Sequence, residues 1–123
     1  MLIVQKFGGS SIADGDRLRR AAGICMRQRQ NGNEVVVVVS AMGDTTDLLA
    51  DRARVLGGKP SPREMDALIT TGEQQSAALL VMTMESLGIP AVSLAGWQAG
   101  IYTDCRYGDS DIRLIAPVRI REA

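Results

Sequence analysis

The residues predict an α/β fold around a mainly parallel sheet, a partial three-layer sandwich, with a small hairpin near the carboxyl end. Two observations carry the sheet: an apolar run at Leu2 to Val4 that opens through Lys6 into Gly8-Gly9-Ser10-Ser11, and five consecutive valines from Val35 to Val39. The third is a helix-periodic stretch between them, which makes the whole a βαβ unit with a right-handed crossover.

Leu2 to Lys6 reads as a buried strand. Gly8 and Gly9 lack a Cβ, so the backbone can turn sharply with its N–H groups exposed, and a helix start just beyond would add partial positive charge. Lys6 supplies a full charge. The order is not that of a Walker loop, whose lysine follows the glycines, and a Gly-Gly pair also serves turns that bind nothing.

From about Asp14 to Gln30, Leu18, Ala21, Ala22 and Cys25 recur at helical spacing, with Asp14 and Asp16 in the first turn and Arg27 and Arg29 in the last. Asn31-Gly32-Asn33 ends this helix. Glu34 to Val39 then has the pattern of a central strand covered on both faces. Ser40 to Asp47 follows as a polar turn leading into a short helix over about Asp47 to Leu56. In a parallel sheet this turn and the Gly8-Gly9 loop open at the same edge, where open α/β folds bind ligands. The alternative for Thr46 or Asp44 is merely to cap the helix.

Gly57-Gly58 closes that helix, and Ser61-Pro62-Arg63-Glu64 is a capping box that starts another near Pro62. Met65, Leu68 and Ile69 give it an apolar face. Thr70-Thr71-Gly72-Glu73 interrupts before Ala77, Leu80, Val81, Met84 and Leu87 resume, so the segment is one kinked helix or two. Glu73 in a new first turn would be an ordinary dipole partner. Beyond Gly88 and Pro90, Ile89 to Leu94 reads as a third strand, Gly96 to Gly100 as a loop with Trp97 as a packing anchor, and Ile101 to Thr103 with Ile112 to Ile115 as a hairpin around Tyr107-Gly108-Asp109. A further helix begins at Val118.

Composition narrows the chemistry. Within 123 residues, 14 basic side chains balance 14 acidic ones, so neither nucleic acid nor an anionic surface is the expected partner. The valine run is too short to span a membrane and the amino terminus lacks the pattern of a secretory signal, which makes a cytoplasmic location the expectation. With no histidine and two cysteines without ligand spacing, zinc and Cys/His catalysis drop out. Any general base would have to be a carboxylate or a lysine, unless the nucleophile is already ionised.

Four separated stretches resemble the aspartate kinases of the amino-acid kinase superfamily, in order and over nearly the whole chain. They are Lys6-Phe7-Gly8-Gly9-Ser10-Ser11; Val36 to Gly43 with Thr45-Thr46-Asp47; Arg63-Glu64-Met65-Asp66 with Thr71-Gly72-Glu73; and Gly96-Trp97-Gln98-Ala99-Gly100. The resemblance implies an amino-acid kinase (carbamate kinase-like) fold and transfer of the ATP γ-phosphoryl group to the β-carboxylate of L-aspartate. That step opens lysine, threonine and methionine biosynthesis. It suits a chain without histidine, because a carboxylate with a pKa of about 3.9 is already a nucleophile at neutral pH.

On this resemblance Lys6 is the catalytic cation. Lys6, Phe7, Gly8, Gly9, Ser10 and Ser40 surround the ATP phosphates, Ser40, Thr45, Thr46, Asp47 and Glu73 hold aspartate, and Mg2+ arrives on the phosphates with no protein ligands of its own. Residues 1–123 then correspond to the amino-terminal, phosphate-loop and amino-acid-binding part of the catalytic domain, without the nucleotide half or regulatory domains, and the isolated chain is expected not to turn over. Assembly as a homo-oligomer is also expected. Two alternatives remain: a sister kinase acting on another carboxylate or carbamate, and a non-catalytic module that pairs with itself or with a full-length subunit through uncovered sheet.

Overall fold

A computed structural model describes residues 1–123. Strand β1 (Leu2–Phe7) pairs with β2 (Glu34–Val39) in parallel register, Leu2 opposite Glu34 and Phe7 opposite Val39. Helix α1 (Gly15–Gln30) makes the crossover, and a 3-10 turn at Gly9–Ile12 precedes it. Helices α2 (Thr45–Arg54) and α3 (Pro62–Ser86) follow, then the antiparallel pair β3 (Ile101–Thr103) and β4 (Ile112–Ile115), and the short α4 (Val118–Glu122). An α/β architecture with a parallel sheet and a separate small hairpin is therefore present as expected.

The sheet has one covered face. Alternation along the strands sends Phe7, Val35, Val37 and Val39 against a core of Ile12, Leu18, Ala21, Ala22 and Cys25, closed by Leu80 and Met84 of α3. The opposite face carries Leu2, Val4 and Val38, each about half exposed or more. The valine run was expected to be covered on both sides. It is covered on one, because α1 and α3 lie on the same face and no element packs on the other. The whole chain fully buries 14 of its 123 residues, and Leu2, Val4 and Val38 are among the large apolar side chains left exposed.

Three further expectations change. Ile89 to Leu94 forms no strand: Pro90 has no N–H to donate, and the Ile89 N–H bonds Met84 O at 2.9 Å to close α3. Ile89 and Ala91 instead lie against the core as extended chain. The Thr70 to Glu73 segment does not break its helix; α3 runs for 25 residues, about 37 Å at the standard rise. Trp97 is no packing anchor. It is 61% exposed, while its neighbour Ala99 is buried and Gln98 turns back to accept from the Ala95 N–H.

The caps follow the sequence closely. Asp14 accepts from the Arg17 N–H at 2.9 Å to start α1, and Ser61 accepts from Glu64 to start α3 behind Pro62. Gly57 and Gly58, both at φ +75, turn the chain between α2 and α3. The hairpin is tied down by charge. Asp104 accepts from the Arg106 and Asp111 N–H groups and pairs with Arg113 at 2.8 Å, while the Gly108 N–H donates to Asp66 of α3 at 2.7 Å.

Candidate active site

The carboxyl ends of β1 and β2 open at one edge, and three loops meet there. Beyond Phe7 the chain turns at Gly8 into the Gly9–Ile12 turn, whose Ile12 side chain is fully buried and anchors it. Beyond Val39 the ladder continues for one bond, from the Ser40 N–H to Phe7 O at 3.2 Å. Thus Ser40 is held beside the start of the glycine loop. One further backbone bond, from Gly43 N–H to Gly9 O at 3.0 Å, fastens the two loops together.

Gly9 has a reason beyond turning. A Cβ at this position would overlap the carbonyl oxygen of Ala41, so the loops can meet only because position 9 has no side chain. At Gly8, in ordinary extended conformation, a Cβ would meet only the Lys6 ammonium, 3.8 Å away. Lys6 therefore folds back over its own loop. It lies on the β1 face opposite α1 and α3 and is exposed, which places a full positive charge beside Gly8.

The end of α1 makes a smaller contribution than expected. It begins at Gly15, and Asp14 already takes a first-turn amide and faces Arg17 at 3.4 Å. Its positive pole is consequently occupied. Arg17 also donates to the Ser10 carbonyl oxygen, at 2.6 Å, which pins the far side of the loop.

Helix α2 starts two residues earlier than the sequence suggested. Gly43 takes φ +52, Asp44 sits at the N-cap without a side-chain cap bond, and Thr45, Thr46 and Asp47 form the first turn. Neither Thr46 nor Asp44 serves as a side-chain cap. Thr45 is half-buried, and Thr46 and Asp47 are exposed, at the edge where Ser40 ends the sheet.

Glu73 completes the arrangement. It is the twelfth residue of α3, in the helix interior, so no helix N-terminus is near and the dipole account does not apply. Its Oε1 instead accepts from the Ala41 N–H at 3.2 Å, across 32 positions of sequence. Close approach is possible because the preceding residue is Gly72, buried and facing Ala41, Thr45 and Leu49. The structure thus brings Lys6, Phe7, Gly8, Gly9, Ser40, Thr45 and Glu73 to one edge of the sheet. Ser10 borders it, and Thr46 and Asp47 stand at its open side.

Sequence reasoning missed Ala41 and Gly72. Ala41 is buried, with its N–H held by Glu73 and its carbonyl against Gly9. A glycine inside a helical pattern was the available signal for Gly72, since it costs about 1 kcal/mol relative to alanine unless something must come close.

A parallel βαβ unit whose glycine loop, lysine and strand-end serine share one edge with a helix-borne carboxylate matches, from residue 1 to 123, the model of the amino acid kinase family, and the chain belongs to that family. Within it the similarity is to aspartokinases. The chain is 52% identical over 99% of its length to the aspartokinase of Mycolicibacterium smegmatis and 51% identical over 98% to that of Geobacillus stearothermophilus. It spans 29% and 30% of those two proteins. Among solved structures, the aspartate kinase from Synechocystis superposes with a TM-score of 0.78 at 50% identity, over 82% of this chain and 17% of that one. Aspartokinase III from E. coli, solved with aspartate and ADP, superposes equally well at 22% identity, over 92% of this chain and 35% of that one, and shows the shared fold.

Proposed function

We propose that this chain is the phosphate-loop and amino-acid-binding part of an ATP-dependent aspartate kinase, which transfers the γ-phosphoryl group to the β-carboxylate of L-aspartate and releases ADP and 4-phospho-L-aspartate. The observation that carries the reading is the Glu73 to Ala41 bond. It draws a carboxylate from the middle of a helix to the loop that abuts Gly9, and one carboxylate oxygen remains for a cation. A substrate α-ammonium suits that oxygen.

In this reading the substrate carboxylate, ionised at neutral pH, attacks without a general base. The protein's task is alignment and neutralisation of charge on the transferring group. Lys6 neutralises the γ-phosphoryl charge, and Phe7, Gly8, Gly9 and Ser10 supply the loop around the phosphates, with Ser40 between phosphate and acceptor. Thr45, Thr46, Asp47 and Glu73 surround the amino acid. Magnesium would be held by the nucleotide phosphates and would supply charge neutralisation there.

The remainder of the catalytic domain, with the nucleotide pocket and any regulatory domain, lies in the lengths of the relatives that this chain does not span. Lysine, threonine and methionine synthesis, a cytoplasmic setting and homo-oligomeric assembly belong to the same proposal. No helix is long and apolar enough to cross a membrane. A second reading, a module that associates with other subunits without catalysis, is favoured by the uncovered sheet face at Leu2, Val4 and Val38.

Amide NMR titration tests the substrate. L-aspartate should shift Ser40, Ala41, Thr45, Thr46 and Glu73, whereas N-acetylglutamate and carbamate should leave them in place. An equal response to all three compounds, or none to aspartate, overturns the reading. A coupled ADP-release assay on the 123-residue chain alone should show no aspartate-dependent turnover.

A further inference from the structure

We infer that Gly72 is a positioning residue for the amino-acid subsite, and that Ala41 is the pivot through which it sets the distance between Glu73 and the phosphate loop. The inference rests on the aspartate-kinase reading and assigns one further residue to that site.

Ala41 is held on three sides. Its N–H donates to Glu73 Oε1 at 3.2 Å, its carbonyl oxygen lies against Gly9, and its methyl group faces Gly72. A Cβ added at Gly72 would stand 3.0 Å from the Ala41 Cβ and 3.4 Å from both Leu49 Cδ1 and Thr45 Cγ2. The latter two atoms are ends of side chains and can give. The Ala41 methyl group cannot move without its backbone, and that backbone is locked to Gly9 through the Gly43 N–H to Gly9 O bond as well.

A side chain at position 72 would consequently push α3 and the Ser40 to Gly43 loop apart. Glu73 follows Gly72 directly and its hydrogen bond is already near the long end of the normal range, so it would be lost first. An ammonium held by Glu73 and a phosphoryl group held at Gly9 would then no longer share one spacer. Two bonded loops and one helix thus depend on a missing methyl group.

Helix propensity predicts the reverse outcome, because alanine is a better helix former than glycine. The two effects therefore separate in a single variant. In Gly72→Ala the residue 41 amide should exchange with solvent at least tenfold faster and L-aspartate should bind about tenfold more weakly, while amides in the middle of α1 keep their protection. Gly72→Ala combined with Ala41→Gly moves the methyl group to the other side of the same contact, and should restore both readouts toward wild type. The inference fails if the residue 41 amide is unchanged in Gly72→Ala, if α1 loses protection in parallel, or if Ala41→Gly deepens the defect. Normal exchange behaviour in a wild-type chain that binds no aspartate would leave the positioning role standing and remove the substrate assignment instead.

Discussion

Glu73 Oε1 accepts a hydrogen bond from the backbone N–H of Ala41 at 3.2 Å, and this bond joins the interior of α3 to the loop that ends the second strand. Ala41 is buried, so its amide has little access to water. Glu73→Ala would strand that donor and should cost about 1–3 kcal/mol in urea unfolding. Glu73→Gln keeps an acceptor at the same reach and should cost well under that, yet lose aspartate binding by about tenfold or more through the missing charge. Equal stability loss in the two variants would show that the bond is not what the carboxylate provides.

Gly9→Ala tests the meeting of the two loops. The added methyl group overlaps the Ala41 carbonyl oxygen, a backbone atom that cannot rotate away. The expected cost is about 1–3 kcal/mol, the usual range for overpacking, together with loss of polyphosphate binding. Gly8→Ala, with space around it and an ordinary φ of −72, should be tolerated in stability, and this difference between neighbouring glycines is read by thermal or urea melts.

Much of this was legible in the residues. The two strands, α1, the capping box at Ser61 and the hairpin strands follow from period and punctuation, which are local signals. What failed was set by distant partners. Ile89 to Leu94 is apolar enough for a strand but packs against the core as extended chain without joining the ladder, and the valine run has the look of a two-sided strand while helices cover one side. Gly72 reads locally as a break, yet the helix continues because the glycine faces Ala41 and Thr45. Trp97 reads as core by its size and stays exposed because Gln98 and Ala99 take the inward positions. Lys6 and the glycines were visible as a motif; that Glu73 reaches the same edge required the fold.

Acid should loosen the hairpin before the core. Burial pushes the Asp104 carboxyl up, but the N–H groups of Arg106 and Asp111 and the guanidinium groups of Arg113 and Arg106 outweigh it and hold the pKa below the ordinary 3.8. A depressed carboxylate contributes stability that is fully present above its unfolded pKa and lost as pH falls through the folded one. Hairpin amide shifts followed downward from pH 5 should therefore be constant until below 3.8 and then move together. Asp104→Asn should abolish that transition. A hairpin unaffected by either change would mean that these ion pairs do not hold it.

The two thiols should differ sharply in reactivity. Cys25 is 2% exposed, its pKa is raised by burial, and its Sγ donates to Gln5 Oε1 at 3.3 Å, whereas Cys105 is exposed. Iodoacetamide should alkylate Cys105 faster by on the order of a hundredfold, and Cys25 only on opening of the α1 core. Comparable rates would contradict the packing of α1 on the sheet.

The convergence of one lysine, one glycine loop and one helix-borne carboxylate is tested most directly by a crystal structure of the chain with L-aspartate. The α-ammonium should sit on Glu73 with the Ala41 bond retained, and the β-carboxylate should point toward Lys6 and Gly9. Aspartate bound elsewhere, or bound with its ammonium away from Glu73, would contradict it.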